Sequence, residues 1–60
     1  MTPDEIITEL MRRGWSQRQI AERCACTQAT ISRIHQGKQP TPSYVIVDAL
    51  RRLIEDLHGY

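Results

Sequence analysis

Apolar residues fall along the chain in four groups, each with the spacing of a helix face. Ile6, Ile7, Leu10 and Met11 recur at intervals of one, three and four, which places them on one side of a 3.6-residue repeat. Ahead of them, Thr2-Pro3-Asp4-Glu5 offers a capping hydroxyl, a proline where no N–H is needed, and two acids at the positive end of the helix dipole. Arg12, Arg13 and Gly14 then supply a cationic last turn and a stop. The pattern predicts a helix over about 3–13.

The cap signature repeats at Ser16 and Gln19, with Ile20, Ala21 and Cys24 as the stripe behind it, so a short helix is expected over about 17–24. Thr27 is a third cap, followed by Ile31 and Ile34 on one side and Gln28, Ser32 and Arg33 on the other, with Gly37 closing the segment. This gives a helix over about 28–35. Gln39-Pro40-Thr41-Pro42 cannot continue it, because each proline removes a donor and biases its predecessor towards extended geometry. From about 43 to 58 the stripe returns as Ile46, Val47, Leu50, Leu53, Ile54 and Leu57. Tyr44-Val45-Ile46-Val47 is β-prone in isolation. The fold class expected is all-α, a compact four-helix domain occupying residues 1–60.

Sixty residues, 40% of them hydrophobic, suit one globular domain and exclude the larger α/β enzyme folds, whose βαβ unit alone takes roughly thirty residues. A core of this size supplies only about 3–5 kcal/mol, so a disulfide, a metal or a partner is commonly needed. Cys24 and Cys26 are too close in sequence to join distant parts of the fold. The acidic start, with no apolar run of membrane-spanning length, points to a cytoplasmic chain with no membrane partner.

Charge is unevenly spread. From Arg12 to Lys38 six basic residues face Glu22 alone, a local balance of +5, while the flanks hold Arg51 and Arg52 against six acids, −4, for a net charge of +1. A basic middle with acidic flanks is compatible with a polyanionic partner.

Two short helices joined by three or four residues and covered by further helices form a helix-turn-helix arrangement. The segment Gln17-Arg18-Gln19-Ile20-Ala21-Glu22-Arg23-Cys24-Ala25-Cys26-Thr27-Gln28-Ala29-Thr30-Ile31-Ser32-Arg33-Ile34-His35-Gln36-Gly37-Lys38 resembles the phage repressor and Cro type of that motif. The match lies at Gln17, Ile20, Ala21, Thr27, Ile31, Ile34, Gly37 and Lys38. The resemblance implies that the third helix enters the major groove of double-stranded DNA, with Thr27, Gln28, Ala29, Ser32 and Arg33 facing base edges. Gln28 has the amide suited to adenine, Arg33 the fork suited to guanine, and Ala29 and Thr30 can offer methyl surface to thymine. Gln17, Arg18 and Lys38 are the implied phosphate contacts. One departure is Ala25, where the family turn usually has glycine at positive φ; holding that conformation with alanine costs about 1 kcal/mol.

Other chemistries fit less well. Cys24, Cys26, His35 and His58 are metal-ligating types, yet one residue between the cysteines is short of the usual two to four, and the resemblance places both thiols in the core. No nucleophile-plus-base spacing or glycine-rich phosphate loop is present, so no catalytic residue, cofactor or small-molecule substrate is expected. Trp15 reads as a staple between the first two helices, and Arg51 and Arg52 as intrahelical partners of Glu55 and Asp56. Two functional readings remain. One is a dimeric transcriptional regulator, a Cro-like repressor without a ligand-sensing domain, binding a palindromic operator and pairing through residues 40–60. The other is a protein-interaction module, an antirepressor or adaptor on the same fold. The outward face of the third helix separates them, since an adaptor would show apolar or acidic residues there.

Overall fold

A computed structural model describes residues 2–38 and 43–58. Four helices follow in order, α1 (Pro3–Arg12), α2 (Gln17–Arg23), α3 (Gln28–His35) and α4 (Tyr44–His58), and no strand occurs among the described residues. The β-prone Tyr44–Val47 stretch is the first turn of α4. Ser43 starts it, its hydroxyl accepting from the Val45 N–H at 3.2 Å and its carbonyl from the Val47 N–H at 3.0 Å. The proline-containing connection at 39–42, Gly59 and Tyr60 lie outside the described residues.

The helix starts are closed by side chains, as the spacing predicts. At α1 the Glu5 carboxylate returns to the Thr2 N–H at 2.8 Å, while the Thr2 hydroxyl donates to Asp4 Oδ1 at 2.6 Å. At α2 a full capping box forms: Ser16 Oγ accepts from the Gln19 N–H at 3.1 Å, and Gln19 Oε1 accepts from the Ser16 N–H at 2.9 Å. Each satisfies donors that a helix end leaves unpaired.

The helix ends share one device, which shortens α1 and α2 by a residue relative to the expected bounds. After α1, Gly14 takes φ 97°, the Gly14 N–H bonds back to the Met11 carbonyl at 3.0 Å and the Trp15 N–H to that of Leu10 at 3.1 Å. After α2, Ala25 takes φ 55°, and the Cys26 N–H reaches the Ala21 carbonyl at 3.0 Å. After α3, Gly37 takes φ 74°, and the Lys38 N–H reaches Arg33 at 2.9 Å. These are Schellman closures, in which a left-handed residue turns the chain and returns two N–H groups to orphan carbonyls.

Every helix contributes to one core: Ile6, Ile7 and Leu10 from α1, Ile20 and Ala21 from α2, Ile31 and Ile34 from α3, and Leu50, Leu53 and Ile54 from α4, joined by Cys24. No polar or charged residue is buried among the described residues. α1 sits centrally, packing against the other three helices, and α2 packs against both α3 and α4. Among the described residues α3 packs on α1 and α2 and not on α4.

The ion pairing on α4 differs from the expectation. Arg52 Nε reaches back to Asp48 Oδ2 at 3.2 Å rather than forward to Asp56. An acid four residues N-terminal to its cation is the better-oriented pairing on a helix.

Candidate nucleic-acid interface

α3 is laid down by its buried side. Ile31 and Ile34 are held in the core, and a 100° step per residue then puts Gln28, Ser32, Ala29 and Arg33 on the opposite flank within an arc of about 140°. Gln28, Ala29 and Arg33 are exposed, whereas Ser32 is half-buried. Four of the five expected base-facing residues thus share one flank, and the fifth, Thr27, stands exposed at its N-terminal edge.

The polar groups on that flank are not equally available. Thr27 Oγ1 accepts from the Thr30 N–H at 3.3 Å and lies 2.9 Å from the Thr30 hydroxyl, so its first task is to cap α3. Ser32 Oγ accepts from Gln36 Nε2 at 3.2 Å. The Gln28 amide and the Arg33 guanidinium are left as the exposed long polar side chains of the helix. No acid occurs on α3, and no large apolar side chain lies on its outward flank.

The basic segment also resolves into engaged and open cations. Arg12 and Arg13 both pair with Glu9 at 3.5 Å. Arg18 pairs with Glu22 at 3.5 Å, with both side chains largely exposed. Arg23 lies over the Trp15 ring, 5.4 Å from its centroid, a cation–π placement. Arg33 and Lys38 have no carboxylate partner among the described residues, and both belong to α3 or its closing turn. Arg18 is held weakly, because an exposed pair is worth about 0–1 kcal/mol and is screened by salt. A phosphate could replace Glu22 there at little cost.

Gln17, the first residue of α2, is half-buried. Its Nε2 lies 3.5 Å from His35 Nδ1 at the end of α3 and 3.9 Å from Met11 Sδ on α1. This three-helix junction was not legible in the sequence, since Gln17 and His35 are eighteen residues apart and no local period links them.

The two thiols separate. Cys24 is buried and its pKa is pushed up to about 11, first by burial and then by the neighbouring Cys26. Cys26 is half-buried, packed on the core edge as the residue that completes the α2 closure, so only one of the two cysteines expected inside is fully there. Burial raises its pKa as well. Neither is poised as a thiolate at neutral pH. Among the described residues no group of three or more His, Cys, Asp or Glu side chains is placed to hold a metal ion; the side chain of His58 lies outside them. No helix of the described residues is long and apolar enough to cross a membrane.

No curated protein and no solved structure matches the chain. The model of a family described as "Helix-turn-helix domain" matches residues 10–55, from the last turn of α1 through most of α4 and more than half of the whole; with α2 and α3 placed as that motif requires, the chain belongs to the helix-turn-helix domain family of DNA-binding modules.

Proposed function

We propose that the protein is a sequence-specific transcriptional regulator, a Cro-like repressor that reads a palindromic operator in the cytoplasm as a dimer. The observation that carries this reading is the outward flank of α3, which offers an exposed amide at Gln28, a methyl at Ala29 and, at Arg33, a guanidinium with no carboxylate partner among the described residues, with no acid on the helix. An amide and a guanidinium are the two side-chain types whose paired hydrogen bonds distinguish adenine and guanine in the major groove. Thr27 and Ser32 complete the base-facing set through the groups their local hydrogen bonds leave open. Gln17, Arg18 and Lys38 serve as phosphate contacts that fix the register of α3 in the groove.

Selection from randomised duplexes followed by titration of two variants tests the assignment. Arg33→Ala is expected to weaken specific binding by about 1–3 kcal/mol and to relax preference at one base position. Lys38→Ala is expected to weaken all sequences alike and to lower the salt dependence by about one phosphate contact. An unchanged base preference in Arg33→Ala would remove Arg33 from base readout. Salt-independent binding, or none, to any duplex would favour the protein-interaction module instead.

A further inference from the structure

The core-facing pair Ile31 and Ile34 fixes which positions of α3 point outward, and among the most outward is one to which the helix-turn-helix resemblance assigns no role. At 100° per residue Gln36 lies about 170° from the midline of that pair, between Ser32 and Ala29 on the same outward flank. It is the C-cap residue, exposed, with its N–H still closing the helical bond to the Ser32 carbonyl at 3.0 Å. Its side chain turns back along the helix. Gln36 Nε2 donates to Ser32 Oγ at 3.2 Å, so Gln28, Ser32 and Gln36 form one row of polar groups at intervals of four. The Ser32 hydroxyl makes no other hydrogen bond among the described residues, which leaves its own proton without an acceptor there.

We propose that Gln36 is a positioning residue for base specificity: by donating to Ser32 Oγ it commits that hydroxyl to donate in turn, so that Ser32 selects a base with an acceptor in the major groove. This rests on the DNA-binding reading above and names the class of base that one operator position holds. A serine hydroxyl by itself is indifferent, since it has one proton and two lone pairs and can meet either kind of base edge. With one lone pair filled by the Gln36 amide and the residue half-buried, the group is fully paired only when its proton reaches an acceptor. Guanine O6 and N7, adenine N7 and thymine O4 supply one, whereas cytosine presents its N4 amino group as a donor. A cytosine there could fill only the second lone pair, leaving the serine proton unpaired and shut off from water. No carboxylate lies on α3 to take that proton instead. Thr27 differs, because its hydroxyl and that of Thr30 can share a proton in either sense and carry no such commitment.

Selection from randomised duplexes, read position by position for the protein and its variants, tests this. Ser32→Ala should lose a preference against cytosine of about fivefold at one position, the effect of roughly one hydrogen bond. Gln36→Met keeps the length and helix propensity of the side chain but not its amide, and should relax that same position while the rest of the site and the thermal midpoint stay unchanged. Combined with Ser32→Ala, it should add nothing. Gln36→Glu reverses the polarity. The serine proton then goes to the carboxylate, the oxygen has only lone pairs to offer, and the preference at that position should turn to the amino groups of cytosine or adenine, whatever the added charge does to overall affinity. A preference unchanged in Ser32→Ala or Gln36→Met, or changed by Gln36→Met at a position that Ser32→Ala leaves alone, would overturn the proposal and spare the DNA reading, as would Gln36→Glu without that reversal. Failure of the unaltered protein to bind any duplex would remove both.

Discussion

Ala25 holds φ 55° where the chain leaves α2, a conformation that glycine adopts freely and that pushes an alanine Cβ towards backbone oxygen. The closure demands it, since the Cys26 N–H can reach the Ala21 carbonyl only if the intervening residue turns left-handed. Ala25 is exposed, so replacing it removes no packing. Ala25→Gly is therefore expected to raise the unfolding free energy by about 1 kcal/mol, partly offset by the freer unfolded chain, and to shift the thermal midpoint up by roughly 4–8 °C per kcal/mol gained in a domain this small. Calorimetry of the two proteins checks it, and a lowered midpoint would mean that the turn is relaxed around alanine. The sequence made this strain legible only because the neighbouring pattern fixed where the turn had to be. The same pattern could not separate Cys24 from Cys26, because their difference in burial comes from the closure itself: the C-cap residue faces the core and the residue two beyond it seals the edge.

Each helix is bounded by chemistry visible in its own few residues, which is why the four spans were readable with only single-residue shifts at the ends. Ser16 and Thr27 show this and also differ usefully. Ser16 closes a reciprocal box with Gln19, whereas Thr27 caps through its hydroxyl alone and shares it with Thr30. Loss of either cap oxygen should lower stability by about 1 kcal/mol. Their effects on binding should part, because Thr27 stands at the edge of the outward flank of α3 and Ser16 does not. Ser16→Ala is expected to lower the chemical-denaturation midpoint with duplex affinity unchanged at temperatures where the protein stays folded. Thr27→Ala is expected to lower both, with Thr27→Ser restoring the midpoint. Equal affinities for Ser16→Ala and Thr27→Ala would take Thr27 out of the interface. What single elements could not disclose is how they meet. The Gln17–His35 junction depends on the angle between α2 and α3, whereas the Arg52–Asp48 pair follows an orientation preference within one helix that a spacing of four does not by itself express.

At the scale of the whole molecule, the core is complete and yet small, and α4 carries more apolar surface than that core takes up. Leu50, Leu53 and Ile54 are buried, but Tyr44 is 91% and Val45 71% exposed, with Leu57 at 39%. Val45 also lines an open groove of about 410 Å³ together with Ala49, Leu53, Arg23, Asp56 and the paired Asp48 and Arg52. A surface that combines exposed apolar side chains with charges of both signs can meet a copy of itself across a two-fold axis. Two-fold pairing would also set two α3 helices about 34 Å apart, one turn of duplex, and supply the base pairs that one short helix cannot read alone. The dimer proposed above, formed through residues 40–60, uses the described part of this surface, 43–58. Sedimentation at micromolar protein is expected to show a monomer–dimer equilibrium, and operator binding should rise steeply with protein concentration. Val45→Asp adds a charge at an exposed position, so helical content and thermal midpoint of the monomer should be kept while self-association falls by tenfold or more, the effect of about 1.4 kcal/mol. Operator affinity should fall with it, and the affinity of a single half-site should not. A palindromic operator saturated by one protomer, or an unchanged sedimentation profile in Val45→Asp, would rule out pairing through this face of α4.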